Sequence, residues 1–314
     1  MRFKIIILLV IFGLITSPIF SQKTDTNFDK QWVQIDTLIV SKKLIKDALQ
    51  QVNVLFKTAK QQQNEPQIVK CLIYRIGLED AVFDNKPNNA IATLNTEIDA
   101  TNNVVVKSIL YSLLANRYLQ YYDANRWKFY NRSKTIAYVK NDIDTWGTDD
   151  FGSTISENFS KSITAVKTLQ AVNISAYDAI ISKGNARQLR PTLFDLLAHE
   201  ALDYFKTGDY YLTKPAYVFE LKELSALADY QIFSNTNFET TDSTSHLLKS
   251  LQLFQQLIQF HKNDLDKNAL VDIDLERIEW VHNNLNNDGK DAAYLKALSN
   301  LTKMPVLRAS QAYY

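Results

Sequence analysis

Hydrophobic residues recur at intervals of three or four along most of this chain, the spacing that places them on one face of an α-helix. The pattern predicts helices over residues 28–40, 42–63 and 67–83. Pro66 separates the last two, because proline disfavours helix in the preceding residue and suits the first turn of a new one. The first predicted secondary structure of the chain is therefore a succession of helices.

Two more helices follow, one opened by Pro87 and one that starts after Asn102-Asn103 and continues to Tyr121. Successive amphipathic helices of this length resemble the stacked hairpins of tetratricopeptide repeats, in which each pair buries one face against the next. The spacing between corresponding positions is irregular, and the consensus residues of the repeat are missing. We therefore predict an all-α fold: an irregular, tetratricopeptide-like stack of helical hairpins with long aromatic connectors and at most a short β element.

The helical pattern is interrupted over residues 126–150, where aromatic and β-branched residues mix with Asn, Ser and Asp. We predict an irregular connector here, with a short strand near residues 136–139. Thr154 and Glu157 have the spacing of a capping box, in which the threonine oxygen accepts a backbone N–H and the glutamate bonds back. The next helix is predicted to begin at that box.

The most distinctive stretch of the chain covers residues 187–220 and reads RQLRPTLFDLLAHEALDYFKTGDYYLTKPAYVFE. Thr192 and Asp195 predict another capped helix start, and the glycine of Lys206-Thr207-Gly208 predicts where that helix ends. An aromatic, weakly periodic connector follows, with a short helix or turn expected around residues 221–229.

Three further periodic segments complete the chain, and Asp242 or Ser243 is the predicted cap of the first. Their apolar positions are Leu247, Leu251, Phe254, Leu257 and Ile258, then Val271, Leu275, Ile278, Val281 and Leu285, then residues 291–301. The pattern restarts at Val306, close to the last residue, which predicts that the natural chain continues.

These elements give a four-part organisation. Residues 1–21 are predicted to be a signal peptide, residues 22–125 a helical-hairpin stack and residues 126–150 a connector. Residues 151–314 are predicted to form a second helical part that packs on the first, with a C-terminus that we expect to be truncated.

Composition supports helices over strands. Only 7 glycines and 6 prolines occur in 314 residues, whereas strand-rich folds need frequent turn residues.

The 35 basic and 34 acidic side chains leave a net charge of +1. That balance argues against binding nucleic acid or a membrane surface through bulk electrostatics, so no nucleic-acid partner is expected.

The N-terminus has the pattern of an export signal. Arg2 and Lys4 precede an apolar run over residues 5–15, and Pro18 precedes a cleavage site expected after about Ser21. The run is shorter than the roughly 20 residues of a membrane span, so cleavage is favoured over retention as an anchor. We predict a periplasmic, envelope or extracellular protein.

Cys71 is the only cysteine in the chain, so it has no intramolecular disulfide partner. It lies on an apolar helix face beside Leu72 and Ile73, which predicts burial and a raised thiol pKa. We interpret it as a small core residue and not as a nucleophile.

His199-Glu200 begins like the helical zinc-protease motif, which needs a second histidine four residues after the first. Asp203 occupies that position. A zinc site that uses Asp203 is a remote hypothesis. The favoured interpretation is a helix whose polar groups face solvent or cap neighbouring elements.

Two further sets of polar residues invite a metal-site interpretation. His261 and His282 lie on neighbouring helices, but we expect polar helix ends, with His261 in a solvated end beside Asp264. The acidic residues of ALVDIDLERIEWVHNN alternate with core positions and lack the glycine-containing loop of a calcium site. They are Asp272, Asp274, Glu276 and Glu279. We prefer to explain these residues by a helix N-terminus, whose dipole favours negative charge. Taken together, the motifs lead us to predict no cofactor, no metal and no catalytic residue.

The segment Arg126-Trp127-Lys128-Phe129-Tyr130-Asn131-Arg132 combines basic and aromatic residues. It fits either stacking on a nucleic acid or glycan, or a structural plug. In the favoured plug hypothesis, the aromatic side chains close the end of the stack and both arginines hydrogen-bond to loop carbonyls.

Several segments together resemble the N-terminal region of very large bacterial alpha-2-macroglobulin-like proteins. They agree with that region in order and spacing over most of residues 28–285 and read FDKQWVQIDTL, NRWKFYNRS, LRPTLFDLLAHEALDYF with YLTKPAYVFE, and ALVDIDLERIEWV. The resemblance implies a helical region that precedes a series of β-sandwich domains, in a family associated with trapping proteinases. The family's thioester motif, Cys-Gly-Glu-Gln, has no counterpart, because the cysteine here begins Cys71-Leu72-Ile73-Tyr74.

Three functional hypotheses follow. The first is a non-enzymatic exported scaffold at the N-terminus of an alpha-2-macroglobulin-like protein. Its partners would be β-sandwich domains of the same longer chain or an envelope protein, and proteinases through the full-length protein. The second is a free-standing periplasmic helical-repeat protein that binds a peptide or glycan. The third, remote hypothesis is a metal hydrolase at His199-Glu200.

Overall fold

The computed structural model describes residues 27–82, 87–129, 139, 142–181, 184, 186–208, 217–242 and 244–304. Within these ranges the regular structure is helical, and the only β pairing is an isolated bridge between Asn173 and Thr192. The predicted all-α class is therefore confirmed. The predicted signal peptide, most of the predicted strand and the restart at Val306 lie outside the described residues.

Twelve α-helices occur in the described ranges. The first six are α1 (Phe28–Asp36), α2 (Ile45–Gln61), α3 (Glu65–Val82), α4 (Pro87–Ala100), α5 (Val104–Phe129) and α6 (Thr148–Ser162). The others are α7 (Val166–Gln170), α8 (Leu193–Lys206), α9 (Tyr230–Phe233), α10 (His246–His261), α11 (Asn268–Asn284) and α12 (Lys290–Leu301). A π-helical turn, Thr37–Ser41, follows α1, and 3₁₀ turns occur at Ile143–Thr145, Ile174–Tyr177, Arg187–Leu189 and Leu224–Leu227. None of these helices is long and apolar enough to cross a membrane.

The N-terminal helices pack as hairpins. Helix α2 packs on α3, and α4 packs on α5. The apolar row of α2 is fully buried because it recurs every three or four residues on one face: Ala48, Val52, Leu55 and Ala59. The long helix α5 also contacts α3, α6, α7 and α8. It therefore joins the N-terminal hairpins to the second half of the chain.

The tight turn between α2 and α3 needs a left-handed residue. Gln63 has φ 53°, and the backbone N–H groups of Gln63 and Asn64 bond back to the carbonyls of Lys60 and Ala59. These bonds satisfy carbonyls that the end of α2 leaves free. A non-glycine residue pays a steric penalty at this φ, because its Cβ approaches the following carbonyl.

Replacement of this exposed glutamine by glycine, Gln63→Gly, should therefore stabilise the protein by about 0.5–1 kcal/mol. The relief of backbone strain is partly offset by the greater flexibility of glycine in the unfolded chain. Urea unfolding measures the effect. The matched change Gln50→Gly, on the exposed face of α2, should destabilise the protein by a similar amount. If both variants changed the free energy of unfolding in the same direction, the strain argument would be contradicted.

The predicted connector is shorter than expected at both ends. Helix α5 continues to Phe129, and α6 begins at Thr148. Asp150 accepts a hydrogen bond from the Gly147 N–H at 2.9 Å, so the helix is capped at Gly147 and begins before the predicted cap. The predicted helix start at Thr154 is therefore wrong, since Thr154 lies inside α6.

An aromatic cluster fixes α5 against α6. Phe129 and Phe151 are fully buried with ring centroids 4.8 Å apart, and Tyr122 and Trp146 pack against Phe151. Aromatic rings at these separations bury large areas in favourable tilted arrangements. The last turn of α5 is thus held by packing, which explains why the helix extends into the segment predicted to be irregular.

Helix α8 lies at the centre of the second half, in contact with α5, α6, α7 and α10. Its predicted cap is confirmed: Thr192 Oγ1 accepts from the Asp195 N–H at 3.3 Å, and Asp195 Oδ2 accepts from the Thr192 N–H at 2.9 Å. The helix ends at Lys206, and Gly208 adopts φ +90°, a value that suits glycine.

The C-terminal helices continue the stack, with α10 packed on α8 and α11, and α11 packed on α12. The predicted cap of α10 at Asp242 or Ser243 is wrong. Ser245 is the capping residue, and its Oγ accepts from the Leu248 N–H at 3.3 Å. Asp242 instead orders the preceding turn by accepting from Thr244 Oγ1 at 2.8 Å.

Candidate functional site

His199 is a buried residue of α8. Of the two predicted roles for the polar groups of this helix, facing solvent or capping neighbouring elements, the first is therefore wrong for His199. Burial lowers the pKa of its imidazole to about 3, and the positive charges of Arg190 and Lys206 contribute to the lowering. Its Nδ1 lies 3.7 Å from Glu276 Oε2 on α11 and has no hydrogen-bond partner among the described residues. The ring is therefore neutral at neutral pH, and the nearby carboxylate does not form an ion pair with it.

Glu200 contacts a different helix. Its Oε2 accepts a hydrogen bond from Ser112 Oγ on α5, and Asn116 Nδ2 lies 3.5 Å from the same oxygen. Burial raises the pKa of this carboxyl group. Asp203, the third residue of the remote zinc hypothesis, pairs with Lys206 at 2.9 Å. The three side chains therefore serve separate contacts. Among the described residues no group of three or more His, Cys, Asp or Glu is arranged to hold a metal ion.

His261 is not in a solvated helix end, as predicted, but in the core. Its Nε2 lies 2.8 Å from Asp195 Oδ1 and its Nδ1 lies 2.7 Å from Asp264 Oδ2. Burial alone lowers the pKa of the ring, but the hydrogen bonds and charges of the two carboxylates outweigh it and raise the pKa. The imidazole ring thus joins the end of α10 to the capped start of α8.

His282 has a separate set of contacts. Its Nε2 lies 2.7 Å from Asp291 Oδ1 on α12, and its ring stacks on Tyr294 with a centroid separation of 4.3 Å. Because the partners of His282 differ from those of His261, the two histidines do not form a joint site.

The acidic run of α11 does not lie in the first turn of a helix, because α11 begins at Asn268 and its first turn contains no acidic residue. The dipole explanation is therefore wrong. Asp274 is buried, and its Oδ1 accepts from Arg277 Nε at 2.7 Å. Arg277 is fully buried and also donates to the carbonyls of Ala226 and Ala228, at 2.5 and 3.0 Å.

Sequence reasoning missed Arg277 as an important residue. The signal that identifies it is its position: it lies three residues after Asp274, on the same helix face as the core residues Ile278 and Val281. An Asp–Arg pair on an apolar face predicts a buried ion pair that supports another segment.

The basic-aromatic segment is only partly described, since residues 130–132 lie outside the described ranges. Phe129 is fully buried, as the plug hypothesis requires. Trp127 is 77% exposed, so this ring does not fill the end of the stack. Arg126 pairs with the carboxylate of Asp123 at 3.0 Å. Burial, which the plug hypothesis requires, is thus found for one of the two described aromatic residues, and it lies between α5 and α6.

Cys71 is fully buried, and burial raises the pKa of its thiol to about 12. The prediction of a core cysteine is confirmed. Because the thiolate is the reactive form, a disulfide reagent should label the native protein at less than about 1% of the rate seen in urea. A Cys71→Ala, Ser153→Cys variant places the thiol on the exposed face of α6 and should react rapidly without urea. Fast labelling of native Cys71 would contradict the core assignment.

A groove of about 480 Å³ lies among the first hairpins, and we call it the hairpin groove. Its apolar side consists of Ile68, Leu72, Val106 and Leu110, and its polar side of Lys60, Gln63, Glu65, Glu97, Thr101, Asn102 and Asn103. A concave surface with an apolar floor and convergent polar groups is the usual form of a ligand site.

Hydrogen bonds hold the polar side of the hairpin groove in place. Glu65 accepts from Asn103 Nδ2 at 2.5 Å and from Tyr177 Oη at 3.3 Å, and Asn103 also caps α5 by accepting from the Val106 N–H at 2.9 Å. Burial, together with the charge and hydrogen bond of Glu65, raises the pKa of Tyr177. Asn102 is exposed at the groove and carries an amide that suits a peptide backbone or a sugar hydroxyl.

Comparison of this chain with known protein families, with curated proteins and with solved structures gives no match.

Proposed function

We propose that this chain is a non-enzymatic, exported helical scaffold that forms the N-terminal part of an alpha-2-macroglobulin-like protein. Two of the segments that resemble this family form α8 and α11. The observation that supports a scaffold role is how these helices use their ionisable groups. Asp195 of α8 and Arg277 of α11 are fully buried, and each joins separate segments of the chain. Polar networks of this kind specify one arrangement of a core.

In this role the hairpin groove receives part of the β-sandwich domains of the same longer chain, or of an envelope protein. An extended segment lays apolar side chains over Ile68 and Val106, and its backbone amides pair with Asn102. Proteinases would be engaged only through the full-length protein.

Binding to the downstream domains tests this proposal. Where the natural reading frame continues past Tyr314 into β-rich sequence, those domains are expressed separately and titrated with residues 22–314. Asn102→Arg should weaken binding at least about tenfold, because a bulky charge then blocks the polar side of the groove. Gln50→Arg, on an exposed part of α2 outside the groove, is the matched control. A reading frame that closes after Tyr314 would overturn the proposal, and downstream domains that do not bind would overturn docking within the same chain.

The second candidate is a free-standing periplasmic protein that binds a peptide or glycan in the same groove. The observation in its favour is that the groove combines an apolar floor with fixed amide and carboxylate groups. This function requires that the natural reading frame end near residue 314. It also requires that the isolated chain bind a peptide or oligosaccharide saturably, and Asn102→Arg should weaken that binding.

A further inference from the structure

A second cavity, of about 340 Å³, lies where the 3₁₀ turns Ile174–Tyr177 and Arg187–Leu189 meet α8 and α11. Its walls are partly apolar, with Ile174, Ile181, Leu189 and Leu196 contributing side chains. These residues differ from those of the hairpin groove, so the two sites are separate. The volume suits a ligand of a few heavy atoms more than a polypeptide segment.

One side of the cavity is basic. Arg187 donates from Nη1 to Asp178, but its Nη2 is buried and has no hydrogen-bond partner in the described part of the chain. Arg190 is exposed and lines the same cavity, and its guanidinium forms no hydrogen bond or ion pair with any described residue. A buried donor without an acceptor in the protein is costly unless a water or a ligand group accepts from it. Guanidinium groups favour carboxylate as that partner, because its two oxygens match their fork of donors.

An acidic group faces the same space from α11. Asp272 lines the cavity, is half-buried, and has no hydrogen-bond or ion-pair partner among the described residues. Burial raises the pKa of its carboxyl group, and the charge of Arg190 lowers it only in part. Arg190 and Asp272 influence each other through space but do not pair directly. The cavity therefore lies between a guanidinium and a carboxyl group.

We propose that this cavity binds an apolar α-amino acid as a zwitterion, with its carboxylate on Arg190 and Arg187, its ammonium group on Asp272 and its side chain against the apolar wall. A simple anion such as phosphate fits less well, because Asp272 repels it. A metal cation fits less well, because two guanidinium groups repel it. A ligand with both charges and a short apolar body matches the guanidinium groups, the carboxyl group and the apolar wall together.

Calorimetric titration of the full chain with L-leucine tests the proposal. Isocaproate, which lacks the amine, and isoamylamine, which lacks the carboxylate, are the single-charge comparisons. We expect leucine to saturate the protein with a Kd below about 1 mM, and each comparison compound to bind at least about tenfold more weakly. Isocaproate binding as tightly as leucine, or no saturation by leucine at about 10 mM, would overturn the proposal.

Two variants locate the binding site. Arg190→Gln and Asp272→Asn should each weaken leucine binding at least about tenfold. Arg190 is exposed and Asp272→Asn keeps the shape of the side chain, so both variants should fold, which circular dichroism checks. Arg126→Gln and Asp47→Asn remove the same charges from surfaces outside the cavity and should leave the affinity unchanged. Unchanged affinity in the two cavity variants would overturn the assignment. The Asn102→Arg variant of the hairpin groove should bind leucine normally, so the outcome here is independent of the proposed scaffold function.

Discussion

Replacement of Arg277 by methionine should destabilise the protein by about 3–5 kcal/mol. The guanidinium is fully buried, and its loss leaves Asp274 as an uncompensated buried acid. It also leaves the carbonyls of Ala226 and Ala228 without their donors. The Arg277 side chain further lies 4.4 Å from the ring centroid of Phe233, so the same change loosens the segment that carries α9. Urea unfolding at pH 7 measures the loss.

Two controls separate the cost of the buried charge from that of the lost arginine. Arg126→Met removes an exposed arginine that pairs with Asp123, and it should cost less than about 1 kcal/mol. The double variant Asp274→Leu, Arg277→Met should regain part of the stability, because no unpaired acid remains in the core. A double variant that is less stable than Arg277→Met would contradict the argument.

Acidification should destabilise the protein through His199, by about 2 kcal/mol between pH 6.5 and pH 4.5. The folded state holds the imidazole neutral down to pH about 3, whereas the unfolded chain protonates it near pH 6.5. The unfolded state therefore binds more protons throughout this window. The contribution of neutral His199 is complete above pH 6.5 and is lost as the pH falls.

The variant His199→Leu isolates this contribution. Its free energy of unfolding should fall by about 2 kcal/mol less than that of the wild type between the same two pH values. Surface carboxylates titrate alike in both proteins and cancel in the comparison. Equal acid slopes for the two proteins would contradict the neutral, buried state of His199.

His261 should show the opposite sign. Its pKa is raised in the folded protein, so its stabilising contribution is complete below the unfolded value near 6.5 and is lost as the pH rises through the folded value. The free energy of unfolding of the wild type should therefore fall as the pH rises, whereas His261→Gln should lack this fall. Urea unfolding from pH 6 to pH 9 measures this difference in pH dependence. The loss of the hydrogen bond to Asp195 lowers the stability of the variant by the same amount at every pH and does not affect the comparison.

Local sequence signals predicted the helices well where one apolar row dominates, as in α2 and α10. They were also sufficient for the cap at Thr192, whose partner is only three residues away. They failed at Thr154 because two caps compete within one segment, and only packing of the aromatic cluster decides between them. A single sequence gives the strength of each local signal but not the tertiary contacts that select one of them.

The polar sites were harder to predict because their partners are distant in the chain. Asp195 and His261 are separated by 66 positions, and Glu200 contacts Ser112 across 88. Sequence patterns place such residues on a helix, but not opposite one another. His199 and His261 look alike in sequence and yet have pKa shifts of opposite direction, since only His261 has carboxylates at hydrogen-bond distance. The cavity between Arg190 and Asp272 was missed for the same reason.

Helix α5 is 26 residues long, about 39 Å, and it packs against α3 and α4 as well as α6, α7 and α8. A repeat protein whose units contact only their neighbours gains or loses a unit with little disturbance to the rest. Here one helix is shared by both halves, so inserting or deleting a hairpin at this point would remove packing from each. Evolutionary variation in the number of hairpins is therefore expected at the ends of the stack, while the centre keeps a fixed length.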